Sequence, residues 1–454
     1  MNLLHPDARL LDATSGEAFA GAALLAEVDR AAARVRTLPA GVLFARMDVD
    51  AASVLRYLGA WHAGRAVALL DPALDADLLA GLIERFQPAA VLNPSGPAPA
   101  GYDENWVRAS DGVEPHPDLA VLLPTSGSTG NPKLVRLSRA AVLANAEAIA
   151  EVLGIDADEV APTSLPLHYS YGLSVLNSHL VRGATVVVEP TGVMGRPFWT
   201  AVERYGITSL AGVPYHYEML RRLRFDPAKY PSVRTLTQAG GRLRTELVAE
   251  FNDTMLAVGG RMFVMYGQTE AAPRMSTVPA ERLAEKLGSA GPALPGGAFS
   301  VRLDDGVETT EPGVTGEVLY RGPNVMMGYA ESAAELADGD VSGGLLATGD
   351  LGHLDADGYL FITGRLKRIG KVFGNRVNLD DLERILGGTV AAVPAGDKVV
   401  VFVEGADRHA TKAAAKALSE RLHLHVTGFD VRSAESLPLL TNGKIDYRSL
   451  EASL

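Results

Sequence analysis

Apolar residues along this chain fall into short continuous runs that alternate with stretches of helical spacing. Residues 67–70, 119–123, 184–188, 209–214 and 262–266 are runs of the first kind, and each meets a Gly or Pro within two residues of its end. Runs of that length bounded by turn formers predict buried strands. Residues 22–35 instead set Glu27, Asp29, Arg30 and Arg34 against an apolar helical face, and a second helix is expected to start near Ser138. The alternation predicts an α/β fold.

After about residue 295 the texture changes to short strands between Gly and Pro turns, at 299–303, 316–320 and 359–363. Past Gly364-Arg365-Leu366-Lys367 come a strand pair over 368–377, a helix near 380–386, a strand at 398–403 and a helix at 410–422. The expected architecture is therefore a large N-terminal domain, residues 1–366, of layered α/β subdomains plus a small β-rich subdomain. A small mobile C-terminal α+β domain, residues 367–454, follows. One covalent crossing joins the two, which makes relative motion the default expectation.

Composition narrows the function classes. At 454 residues the chain exceeds what one core supports, and 47% hydrophobic with 21% charged residues describes a soluble globular protein. A net charge of −12 without any Lys/Arg block argues against nucleic acid and anionic membrane as partners. The absence of cysteine excludes disulfides, thiolate zinc sites and a cysteine nucleophile within this sequence. Ten histidines stand in no metal-ligand spacing, so a zinc site is not expected. No apolar run reaches spanning length, and the first residues lack a signal-peptide pattern, so a cytoplasmic location is expected.

The candidate chemistry begins where the 119–123 run breaks into Thr125-Ser126-Gly127-Ser128-Thr129-Gly130-Asn131-Pro132-Lys133. Glycines let backbone approach an anion, successive N–H groups and hydroxyls can wrap phosphate oxygens, and Lys133 adds a mobile positive charge. The spacing is not that of a Walker A loop. Four further motifs follow in order: Tyr266-Gly267-Gln268-Thr269-Glu270, Ala347-Thr348-Gly349-Asp350-Leu351-Gly352, Gly364-Arg365-Leu366-Lys367, and Thr441-Asn442-Gly443-Lys444-Ile445-Asp446. Singly, Glu270 would be a solvated loop carboxylate and Lys444 an exposed turn lysine. The ordered set speaks against that.

Together these residues resemble the adenylate-forming superfamily: acyl- and aryl-CoA synthetases, peptide-synthetase adenylation domains and luciferases. The resemblance implies that a carboxylate attacks the α-phosphorus of ATP and expels pyrophosphate. Both reactants are anions, so charge neutralisation and positioning carry the catalysis. It implies that Thr125, Ser126, Gly127, Ser128, Thr129, Gly130 and Lys133 hold the phosphates, and that Glu270, with Thr129, holds Mg²⁺. Thr269 would reach the α-phosphate. Tyr266, Gly267, Gln268, Gly240 and Gly241 would border the adenine, and Asp350 with Arg365 the ribose. Lys444 would arrive from the small domain at the attacking carboxylate, a contact whose loss costs about 3–4 kcal/mol by analogy with oxyanion donors.

The same resemblance places an acid pocket at His168, Tyr169, Ser170 and Tyr171, with Val213, Gln238 and Met265 at its floor. Amino-acid-activating members carry Asp where this chain has Ser170, which favours an acyl, aryl or hydroxy acid over an α-amino acid. Arg242 and Arg274 stand beside these motifs and are candidates to meet a second acidic group, against the more common structural use of such arginines. Lys367 occupies the hinge position and Gly374 the lining of the thiol's approach. The expected reaction ends in transfer to a thiol, either CoA or the phosphopantetheine of an acyl carrier protein. Transfer to an amine, activation of a small inorganic acid such as nitrite, and a non-catalytic nucleotide-binding role are the alternatives. Oligomeric state, monomer or homodimer, is left open.

Overall fold

The computed structural model describes residues 2–125, 132–366, 368–440 and 444–454, side chains at 369 and 376 excepted. Its architecture is mixed α/β with a large N-terminal body and a small C-terminal one. In the first six-stranded sheet, Leu119–Pro124, Val67–Leu70, Leu43–Arg46 and Ala90–Leu92 run parallel in that spatial order. Leu134–Ser138 and Gly328–Ala330 extend it antiparallel. A second sheet sets Ser209–Gly212, Thr235–Gln238 and Arg261–Gly267 parallel and closes with antiparallel Arg274–Val278. A smaller sheet pairs Arg9–Asp12 and Val160–Pro162 on either side of Thr185–Val188. All four residues of Val67–Leu70 and of Thr185–Val188 are buried, as expected of strands covered on both faces.

Helices fill the connections for local reasons. Ser138 caps Arg139–Leu153 by accepting from the Ala141 N–H, and Gly154 ends it in the left-handed conformation. Helices Gly21–Arg36 and Ala51–His62 touch at Gly59, where a Cβ would stand 2.5 Å from the Ala31 Cβ. Helix Ser170–Leu180 is buried along its whole length, and its Asn177 accepts a hydrogen bond from Tyr57 at 3.1 Å.

The β-rich part is a five-stranded antiparallel sheet centred on Gly316–Arg321 and Leu345–Leu354. Its longest strand, Leu345–Leu354, carries Thr348, Gly349 and Asp350 mid-strand, where the sequence alone suggests a turn. The stretch is a bulge: pairing with Gly316–Arg321 passes from Ala347 to Leu351 and Gly349 takes φ +70°, so the turn character persists inside the strand while Asp350 pairs with Arg365 on the other side.

Beyond residue 368 the chain forms the hairpin Ile369–Val372/Asn375–Asn378 and helix Leu379–Leu386. A three-stranded sheet of Val390–Ala395, Lys398–Glu404 and Phe429–Ala434 follows, with helix Arg408–Leu422. Val372, Leu382, Val399, Val401 and Leu418 form its separate core.

Candidate active site

Strand Arg261–Gly267 delivers the first functional cluster at its carboxyl end, the edge where open α/β sheets take ligands. Gly267 turns under the returning strand; a Cβ there would lie 1.9 Å from the Pro273 carbonyl oxygen, so only glycine fits. On either side, Tyr266 and Gln268 reach across to the five-stranded sheet. The Asp350 carboxylate is buried and accepts three hydrogen bonds: Tyr266 Oη at 2.5 Å, Gln268 Nε2 at 3.0 Å and Arg365 Nε at 3.0 Å. Burial, and then the Asp350 charge, hold the Tyr266 phenol well above its ordinary pKa, so it stays a donor. Oδ2 takes two of the bonds and Oδ1 one, which leaves acceptor capacity facing the exposed Arg365.

A second cluster forms around the phosphate-type loop. Thr125 pinches its base, donating from N (2.9 Å) and Oγ1 (3.3 Å) to the Lys133 carbonyl. Ser126, Gly127, Ser128, Thr129 and Gly130 lie outside the described residues. Lys133 pairs with Glu331 at 2.5 Å and stands 5.9 Å from the Tyr329 ring centre. Tyr329 in turn donates to Glu270 Oε1 at 2.8 Å. Lys133 and Glu270, far apart in sequence, thus meet through Tyr329. Nothing in the local pattern singles out Tyr329 or Glu331; they arrive because Gly328–Ala330 pairs with the strand that carries Lys133 out of the loop.

The third cluster is apolar. Tyr171, Val213, Met265 and, partly buried, Tyr169 share one core cluster. Gly240, at φ +80°, comes close to the Tyr169 hydroxyl; a Cβ there would stand 2.4 Å from it. Ser170 Oγ lies 3.0 Å from Thr269 Oγ1, tying the start of helix Ser170–Leu180 to the Tyr266–Glu270 segment. Lys444 of the small body sits 5.7 Å from the Tyr169 ring centre. Its side chain keeps solvent contact, yet the crowded cleft wall lowers its pKa, with Arg365 adding to the effect and Glu270 and Asp350 opposing it. Those influences place Lys444, Glu270, Asp350 and Arg365 around one cleft.

Several expected residues stand elsewhere. His168 is turned from the pocket: it lies in a turn closed by the Tyr169 N–H on the Pro166 carbonyl (3.2 Å), which carries its Nε2 to 3.5 Å from Asp71 at the end of Val67–Leu70. Burial outweighs Asp71 and lowers its pKa. Gln238 does not line the pocket with its side chain; its amide braces its own loop through the carbonyls of Ala239 (3.2 Å) and Gly241 (2.7 Å). Gly241 packs on Pro214. Gly374, at φ +80°, forms the tip of the hairpin, with its N–H on Asp397 at 2.9 Å, within the small body. Lys367 lies outside the described residues. Arg242 is near Arg384, Asp380 and Asp381 across the cleft, and burial is the largest influence on its lowered pKa.

The sequence pattern of the AMP-binding enzyme family matches residues 4–330, and the chain belongs to that family. The indoleacetate–CoA ligase of Aromatoleum aromaticum is 34% identical over 297 residues, 63% of this chain and 56% of that enzyme. The feruloyl-CoA synthase of an Amycolatopsis species is 32% identical over 348 residues, 72% of this chain and 68% of that one. The chain thus spans little more than half of the first relative's length. Among solved structures, an ATP-bound RpMatB–BxBclM chimera superposes with a TM-score of 0.81 at 24% identity, covering 99% of this chain and 96% of its own. The O-succinylbenzoate coenzyme A synthetase of Bacillus subtilis, solved with ATP and a magnesium ion, gives 0.79 at 23%, covering 97% and 96%. These likenesses show the fold.

Proposed function

We propose that this chain is an AMP-forming acid–thiol ligase: it joins a carboxylic acid to ATP as an acyl-adenylate, releases pyrophosphate, and transfers the acyl group to a thiol. One observation carries the reading. Lys444, from the small C-terminal body, stands over Tyr169 in a cleft whose other charges are Glu270, Asp350 and Arg365. A cation brought between a carboxylate pocket and a nucleotide ledge is what two mutually repelling anions need.

In this reading Asp350, presented by Tyr266 and Gln268, accepts the ribose hydroxyls, and Arg365 moves with the nucleotide. Lys133 exchanges Glu331 for phosphate oxygens. Glu270 suits Mg²⁺: among the described residues no three His, Cys, Asp or Glu gather into a metal cage, and Mg²⁺ takes one or two carboxylates with the substrate's own phosphates. When bound, the ion neutralises phosphate charge. Thr269, steadied by Ser170, faces the α-phosphate, and Lys444 holds the attacking carboxylate.

The named relatives act with CoA, which favours CoA as the acceptor; carrier-bound phosphopantetheine presents the same thiol. The Lys367 segment is then the hinge between residues 1–366 and 367–454, and Gly374 reaches the cleft only after the small body turns. A panel of acids in a pyrophosphate-release assay, with hydroxylamine trapping the adenylate, tests the first step. Acid-dependent release lost in Lys444→Ala supports it. Release independent of acid, or equal in the variant, overturns it. Thioester formation from the trapped adenylate with CoA against a phosphopantetheinylated carrier then separates the acceptors.

A further inference from the structure

Arg274 begins the strand that closes the second sheet, and its side chain is 2% exposed. Its backbone is accounted for: the N–H donates to Asn145 Oδ1 at 3.2 Å, and the carbonyl accepts from Asn145 Nδ2 (2.6 Å) and Asn324 Nδ2 (3.0 Å). Its guanidinium is not. Nη1 points at Met265 Sδ (3.0 Å), a weak acceptor, and the group lies 4.7 Å from the Tyr171 ring centre. Nε is buried without a hydrogen-bond partner. Only the phenols of Tyr171 and Tyr169 offset its burial; no carboxylate does.

An unpaired buried charge is among the costliest features a fold can keep, and replacing it with an apolar side chain is commonly neutral or stabilising. Its neighbours show what the cost could serve. Met265 and Tyr171 belong to the apolar cluster with Tyr169 and Val213. Three steps lead from the cleft to this arginine: Lys444 to the Tyr169 ring at 5.7 Å, Tyr169 to Tyr171 at 6.3 Å, and Tyr171 to Arg274 at 4.7 Å. Beside Arg274 lies a cavity of about 20 Å³, room for about one water. His179 lines it too. Nδ1 of that histidine is 2.8 Å from the Val175 carbonyl, while Nε2 is buried with no partner. Arg274 and His179, each with one unsatisfied ring or guanidinium nitrogen, thus line one cavity, together with the buried Glu159, whose Oε2 accepts from Thr208 Oγ1.

We propose that Arg274 is the anchor for a second acidic group at the far end of the substrate, so that the acid activated here is a dicarboxylic acid or one bearing an equivalent distal anion, with His179 Nε2 accepting from a water that bridges to that group. The inference rests on the ligase reading given above. The distal anion supplies the charge that the folded chain withholds from Arg274, and an acid of equal length without it leaves a buried cation unpaired.

Matched probes test it: succinate, glutarate, adipate and terephthalate against butyrate, pentanoate, hexanoate and benzoate. The readouts are pyrophosphate release and the rise in Tm each acid causes in the presence of ATP and Mg²⁺. In the native chain at least one diacid should exceed its partner tenfold or more in kcat/KM, and Arg274→Met should abolish or invert that preference while raising the Tm of the ligand-free protein. Arg274→Lys, which keeps a charge, should keep part of it. A native preference for the monoacids, or a ratio unchanged in Arg274→Met, overturns the proposal while the ligase reading stands. If no acid releases pyrophosphate, the ligase reading falls. The Tm series still decides the anchor: stabilisation by diacids that Arg274→Met removes supports it, and equal or no stabilisation by the two sets overturns it. Should Arg274→Met not fold, the native preference and Arg274→Lys carry the decision.

Discussion

Lys444 and Glu270 bear the charges that the proposed chemistry needs most directly. Lys444→Ala and Glu270→Gln should each slow adenylate formation about 10²- to 10³-fold, roughly 2.7–4 kcal/mol, with little change in Tm. The ammonium is the useful form of Lys444, and its pKa is lowered by the cleft. Adenylation should therefore decline on the alkaline side at lower pH than an ordinary lysine would dictate. Lys444→Arg should push that limb upward, which a pH–rate profile of pyrophosphate release would reveal; an unmoved limb assigns it to another group. Gly240→Ala forces both a left-handed alanine and a clash with the Tyr169 hydroxyl. Its mark should be a raised KM for the acid. Residues of this kind were legible in sequence because their types and order are chemically unusual. Tyr329 and Glu331 were not, since an edge strand brings them in from two hundred residues away.

Elements tie these residues together through buried side-chain amides. Asn145, on helix Arg139–Leu153, both donates to and accepts from the Arg274 backbone. Asn145→Ala leaves that N–H unpaired in the interior and should cost about 1–3 kcal/mol in chemical denaturation with an unchanged m-value. Strands at 67–70, 119–124 and 185–188 lie where continuous apolar runs announced them. Strand Leu345–Leu354 escaped that reading, as its Thr-Gly-Asp centre has turn composition and is accommodated as a bulge against Gly316–Arg321, with Gly349 at φ +70°. His168 shows the same limit one level down. Which of two adjacent side chains enters a pocket depends here on how the turn at Pro166–Tyr169 directs them, and composition carries no trace of it.

For the molecule as a whole, the chain passes once from the large body to the small one, between Leu366 and Arg368. Among the described residues, helix Leu379–Leu386 lies against strand Leu360–Arg365, Lys444 stands by Tyr169, and Arg222 pairs with Glu404 at 3.6 Å. Lys367→Pro, which stiffens the crossing, should leave adenylate formation nearly intact while slowing acyl transfer to CoA about tenfold or more in single-turnover measurements. Lys444 and Gly374 both belong to the small body, one now at the cleft and the other at a hairpin tip held by Asp397. If the small body turns as proposed above, such a carrier would act as a two-position switch, in which presenting one contact withdraws the other. In the proposed reaction a thiol would then not be consumed before an acid has been charged, and mechanics would keep the order of the two steps without the second substrate being excluded chemically.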